Sequence, residues 1–302
     1  MWATVTQASP LRVQVDGDTT PIPATPVTLA APLAVGDRVR CELENNRLIV
    51  HGRYGGPAAD ALLAGRNRNL IINGDWRLSR RGYTSNAALA LGAYGPDRWK
   101  SNNANTAIAL PSGPNGGLAT IGFYSPATFG AIRQVVERAN LAPATRSYVL
   151  SWAGTALGRF YKAGTAAPSY AASPIVGSLD GLADCNVEFA TGSASLTLGE
   201  VQLELGTAPT PFERRSLAEE LALAQRYFES GSIKIFANGT SYVVLAQNYR
   251  VLKRASPTLA FLSTTSRTTM PTSTEWNDPD SFGVGRSGSN EVAAFWTSDA
   301  EL

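Results

Sequence analysis

Histidine and cysteine are nearly missing. His51 stands alone, and Cys41 and Cys185 are the two thiols in 302 residues. A zinc site of the usual Cys/His type cannot be assembled from these within one chain. A Ser–His–Asp triad would have to use His51, which ends a predicted strand and reads as a surface or turn residue. The cysteines lie far apart, so both read as buried thiols rather than a disulfide framework. Charge is scarce too: 17% of residues, against about 25% in an average soluble domain. Lys+Arg (26) nearly balance Asp+Glu (24), which leaves no basic footprint for nucleic acid. No run of 18 apolar residues occurs, so no membrane span or insertion is expected. Met1-Trp2-Ala3-Thr4 lacks a basic region followed by an apolar stretch, so no signal peptide is expected. A G-x-S-x-G nucleophile elbow is absent. Gly283 to Gly288 matches G-x-G-x-x-G, but no helix follows, and the match reads as accidental. Spacing singles out no carboxylate pair for glycoside cleavage. An enzyme is not expected.

What is present suits short strands joined by many turns: 28 Gly, 18 Pro and 9% aromatics among Ala, Thr, Ser and Asn. Residues 1–54 read as a small five-stranded barrel of the OB or SH3 kind, with alternation at Leu11–Val15 and Arg38–Leu43. The proline stretch Pro21–Pro26 cannot be a central strand. Asn45-Asn46 reads as a tight turn joining two hairpin strands. Residues 55–68 read as a linker or short helix. Residues 69–215 carry almost no helical period. Runs at Asn69–Ile72, Thr106–Leu110, Leu118–Tyr124, Tyr148–Ala153, Asn186–Phe189, Ser195–Leu198 and Val201–Leu205 predict a jelly-roll β-sandwich, with a helical turn near Ile132–Arg138. Residues 216–229 predict a helix opened by a Ser216/Glu219 capping box. Its stripe Leu217, Leu221, Ala224 and Phe228 fits either packing on its own domain or a short seam between identical chains. Residues 230–302 return to β, and Asn238-Gly239 predicts a hairpin between Lys234–Ala237 and Ser241–Leu245. The fold class is therefore mainly β: barrel at 1–54, jelly roll at 69–215, short helix and C-terminal β domain at 216–302.

The stretch NLIINGDWRLSRRG at 69–82, followed by YGPDRW at 94–99, resembles the opening of the jelly-roll module in phage tail fibre and minor tail proteins. GEVQLELGTAPTPFERRSLAEELALAQRYFE at 199–229 resembles its close. SPLRVQVDGDTTPIPATP followed by VGDRV is similar to the small barrels that open minor tail proteins. WTSDAEL at 296–302 looks like an Ala-Glu-Leu ending of that group. The resemblance is weak across 100–195. It implies a virion protein in the tail of a long-tailed phage, usually a homotrimer. Residues 1–54 would attach to other tail-tip or baseplate proteins, and the chain would bind host-surface polysaccharide. The jelly roll also resembles carbohydrate-binding modules. Many of those hold a structural calcium through a carboxylate where this chain has Arg77; Glu200 alone makes a poor cage, so no cofactor is expected. A glycan depolymerase and a purely structural tail-tip component are the competing expectations.

Sugar binding needs exposed aromatic faces flanked by planar polar groups, in shallow, wet sites. Two clusters qualify. The first is Trp76, Tyr94, Asp97 and Trp99, with Arg98 beside them; its alternative reading is core packing with an Asp97–Arg98 ion pair. The second is Trp276, Asp278, Asp280, Phe282, Arg286 and Trp296 in Gly/Ser-rich loops. Residues 255–302 hold six acids against two bases, a local net charge of −4 inside a chain of +2.

Overall fold

The computed structural model describes residues 2–28, 33, 35–36, 38–44, 47–54, 68–113, 115–125, 127–192, 194–236, 242–262, 271, 273–286 and 291–301. The protein is mainly β, and it divides into two compact units, Met1–Arg68 and Asn69–Leu302. No helix among the described residues is long and apolar enough to cross a membrane.

The first unit has strands β1 (Trp2–Ala8), β2 (Leu11–Val15), β3 (Val27–Thr28), β4 (Arg38–Glu44) and β5 (Arg47–Tyr54). Alternation puts Ala3, Val5, Leu11, Val13, Val39, Cys41, Leu48 and Val50 on one face, where they form its core. The strand order is β2-β1-β4-β5-β3. The edges β2 and β3 do not pair with each other among the described residues, so the expected barrel is present as a five-stranded sheet. The proline run explains this. It offers few N–H donors, and it rests on β2 through Ile22 N to Val13 O at 2.9 Å before β3 begins. Asn45, Asn46 and 55–67 lie outside the described residues.

The jelly-roll segment contributes β6 (Ala88–Leu89), β7 (Lys100–Ser101), β8 (Thr106–Ala109), β9 (Ala119–Phe123), β10 (Ala131–Val136), β11 (Arg146–Gly154), β12 (Leu157–Lys162), β13 (Ile175–Leu179), β14 (Cys185–Ala190) and β15 (Leu196–Leu205). They make a six-stranded sheet, β13-β11-β15-β9-β8-β6, and a four-stranded sheet, β12-β14-β10-β7. Trp99, Ile121, Ile132, Leu150, Phe189 and Leu198 are among the residues of the core. Three sequence expectations change. Ile132–Val136 is strand, because Ile132, Gln134 and Val136 alternate inward; a 3-10 turn follows only at Arg138–Asn140. The two runs at 195–205 merge into β15, with Glu200 in a left-handed conformation (φ 49°) at the join. Asn69–Ile72 is not a strand but a buried irregular segment.

Helix α1 (Leu217–Gln225) opens on the expected capping box: Ser216 Oγ accepts from Glu219 N, and Glu219 Oε2 accepts from Ser216 N. It stops before the predicted end at 229, because Phe228 opens a strand. The following strands are β16 (Phe228–Phe236), β17 (Val243–Asn248), β18 (Thr258–Leu262), β19 (Ser273–Asn277), β20 (Ser281–Arg286) and β21 (Glu291–Asp299). They form sheets β16-β21-β18 and β17-β20-β19 around Ile233, Tyr249, Phe282, Val284, Ala294 and Trp296. The predicted hairpin at 234–245 is therefore wrong. β16 pairs with β21 along nine residues, and β17 pairs with β20 in the other sheet. Residues 237–241, including Asn238-Gly239, lie outside the described residues.

Candidate functional site

The first candidate cluster is a buried polar knot. The irregular segment 69–76 cannot satisfy its N–H groups in a ladder, so side chains do it. Ile72 N donates to Gln134 Oε1 (2.9 Å), and Asn73 N donates to Glu220 Oε1 of α1. Asn73 reaches Leu78 O and Asp97 O with its amide, and its carbonyl accepts from Trp99 Nε1 at 3.0 Å. Trp76 Nε1 donates to Leu198 O at 2.8 Å. Trp76 and Trp99 stack at 5.1 Å and are 3% and 0% exposed. Neither ring offers a face to a sugar. Tyr94 lies half-buried under Arg81 (4.6 Å) and Lys100, and burial pushes its phenol pKa well up. Asp97 is buried and accepts from Arg80 at 2.6 and 2.7 Å. Arg98 pairs instead with Glu301 and covers the Tyr227 ring at 3.4 Å, so the Asp97–Arg98 pair does not form. These motif residues build the scaffold.

The helical stripe also packs on its own chain. Ala224 is buried with Ile72, Leu78 and Tyr227, and Leu221 packs against them. Phe228 is buried under the Arg81 guanidinium at 4.1 Å. Leu217 is exposed. Three of the four seam positions thus pack inside the chain, and Leu217 alone of the four is exposed.

The second cluster divides. Phe282 (0% exposed) and Trp296 sit in the distal core, edge-on at 5.1 Å. The Arg286 side chain lies outside the described residues, as do residues 287–290 of the G-x-G-x-x-G match. Trp276, Asp278 and Asp280 are exposed. Trp276 lies on the outer face of β17-β20-β19, with Asp278 and Asp280 in the turn that joins β19 to β20, and the geometry of this face follows from two glycines. Phe282 and Val284 point into the core, so Gly283 and Gly285 face outward. The Trp276 ring lies against Gly283; a Cβ there would come within 2.5 Å of ring atom Cη2. Gly285 is covered by the hydroxyl end of Tyr242 together with the Glu275 carboxylate. Trp276 is 37% exposed and Tyr242 50%. Tyr242 Oη donates to Glu275. Trp276 Nε1 donates to Ser281 Oγ (3.3 Å), which donates to Asp280 Oδ1 (3.2 Å). Asn248 is exposed at the end of β17, in register with Ser281. Sequence reading missed Tyr242 and Glu275. The signal was Phe-Gly-Val-Gly at 282–285: glycine at alternate strand positions marks a face that something else covers.

No group of three or more His, Cys, Asp or Glu could hold a metal ion among the described residues. Arg77 Nε pairs with Asp75 Oδ2 at 2.6 Å, placing a cation where a calcium carboxylate would stand. His51 Nε2 lies 3.4 Å from Glu42 in a solvent-exposed pair. Buried Glu188, Glu220 and Glu229 are held by Arg159, Arg215 and Lys253. Cys41 and Cys185 are free and buried. No protein-family model matches this chain, and no curated protein matches it.

Proposed function

We propose that this chain is a structural virion protein of a long-tailed phage, a tail fibre or minor tail protein that holds host-surface glycan. In this reading residues 1–54 attach it to tail-tip proteins, and the distal sandwich, 228–299, meets the host. One observation carries the proposal. The two sequence segments that resemble the tail jelly roll, 69–99 and 199–229, lock to each other: Asn69 Nδ2 donates to Val201 O at 3.0 Å, and Leu203 N donates to Asn69 Oδ1 at 3.2 Å. The carrier is not an enzyme in this reading, and the exposed rings of Trp276 and Tyr242 supply adhesion.

The test is binding of the purified full chain to host cells and to extracted envelope polysaccharide. Retention on cells is expected. Release of reducing ends from that polysaccharide would replace the adhesin by a glycan-cleaving tail protein, and no retention at all would leave a purely structural component. A homotrimer would repeat each weak site three times and raise adhesion by avidity. Light scattering is expected to give three chains at micromolar concentration; a monomer would remove that part of the proposal.

A further inference from the structure

The exposed rings of Trp276 and Tyr242 share one face and contact two different glycines of β20. Gly283 and Gly285 are two residues apart on β20, so the points where the Trp276 ring and the Tyr242 hydroxyl end meet the strand are displaced by about 7 Å. That step gives a linear saccharide two successive contacts, one per ring. A single sugar would use only one. Beside them on the same face, β17 offers Ala246, in register with Gly283, and the exposed Val244, in register with Gly285.

Among the described residues, carboxylates and an amide lie around the rings. Glu275 holds the Tyr242 hydroxyl. Asp280 is one hydroxyl away from the Trp276 indole, through Ser281. Asp278 lies on the same turn, its N–H donating to Ser281 O at 2.9 Å. Asn248 adds an amide. Carboxylates and an amide accept hydrogen bonds from sugar hydroxyls and ammonium groups. The carboxylates repel a uronate, sulfate or phosphate brought within a screening length of about 8–10 Å. An ammonium over an indole face gains further from the ring quadrupole.

We infer that the Tyr242–Trp276 face binds a linear pyranose chain bearing no acidic group, neutral or amino-substituted, across at least two sugar rings. This rests on the adhesin reading for its biological source. The geometry alone names the residues and the ligand charge.

The experiment titrates the full chain by calorimetry with three probes: cellotetraose, a chitosan tetramer and tetragalacturonate. Binding of at least one of the first two is expected, with tetragalacturonate at least tenfold weaker. Trp276→Ala should weaken binding about tenfold, that is by about 1.4 kcal/mol, and Tyr242→Ala should weaken it less. Trp276→Phe should recover most of the loss, which separates stacking from any loss of fold. Glu275→Gln should narrow the gap between the acidic and neutral probes. Equal binding by Trp276→Ala, or preference for tetragalacturonate, overturns the inference. If none of the probes binds while the chain still adheres to cells, the platform assignment fails and the adhesin stands. If oligosaccharide binds but cells do not, the adhesin fails and the platform stands.

Discussion

Lys253 is wholly buried, and its ammonium donates to Glu229 Oε2 at 2.6 Å and to Gln225 O at 2.5 Å. Burial holds its pKa below the usual lysine range, with Glu229 opposing the shift. Removing one member of a buried pair strands the other charge. Lys253→Met is therefore expected to cost about 3–5 kcal/mol in urea unfolding, and Lys253→Met with Glu229→Gln should recover part of it. Glu137 gives a pH signature. Burial raises its pKa, but hydrogen bonds from Arg226 and Tyr227 outweigh that and hold the carboxyl below its usual value. Its contribution is then complete above the unfolded value of about 4.3 and is lost as pH falls through the lower folded value. The stability gap between the native protein and Glu137→Gln should close in strong acid; a constant gap to the acid limit would contradict this. Burial also pushes the Cys185 thiol up to about 12 and raises Cys41. Neither should react with a thiol reagent until the protein unfolds. Burial of both cysteines was readable from their type alone, whereas the partner of each arginine was not.

At the scale of elements, local signals were legible and distant ones were not. The capping box at Ser216 and Glu219 depends on four adjacent residues, and it formed as read. Ser216→Ala should destabilise the unit by about 1 kcal/mol, measured by thermal melting. The end of α1 was misread because Tyr227 and Phe228 continue the helical spacing. Arg98 and Arg81 instead draw those rings onto their guanidinium faces. The missed hairpin has the same cause. β16 looks complete with its neighbour in sequence, yet its nine-residue partner β21 starts at Glu291. In the candidate site, Trp276 was legible as an aromatic among carboxylates. Phe282 and Trp296 have the same composition around them but alternate inward. Composition cannot tell the two faces of a strand apart until its register is known.

At the scale of the molecule, the mainly β class and the sandwich were readable from turn punctuation. On either side of the expected division at 215/216 the strands form separate sheets and cores, while Asn69–Leu302 is one compact unit. Glu220 of α1 accepts from Asn73 N, and Arg80 Nη2 donates to Phe228 O at 3.0 Å. A fragment of residues 69–215 would leave these buried groups unmet. It is expected to show no cooperative unfolding by circular dichroism, whereas 69–302 should unfold in a single transition. Cooperative melting of the shorter fragment would show that the helix and distal sheets are dispensable.

The arginine ties set an order in time. Arg81 and Arg98 lie near the start of the second unit, and they find Asp299 and Glu301. Arg98 is synthesised 203 residues before its partner. At translation rates of about 5–20 residues per second, that is roughly 10–40 s of waiting. Through that interval the nascent jelly roll carries two cations destined for burial and a helix stub without its docking strand. Closure must follow emergence of β21, and such distant pairing folds slowly. Slow translation over residues 228–299 would lengthen the exposure of an unfinished sandwich.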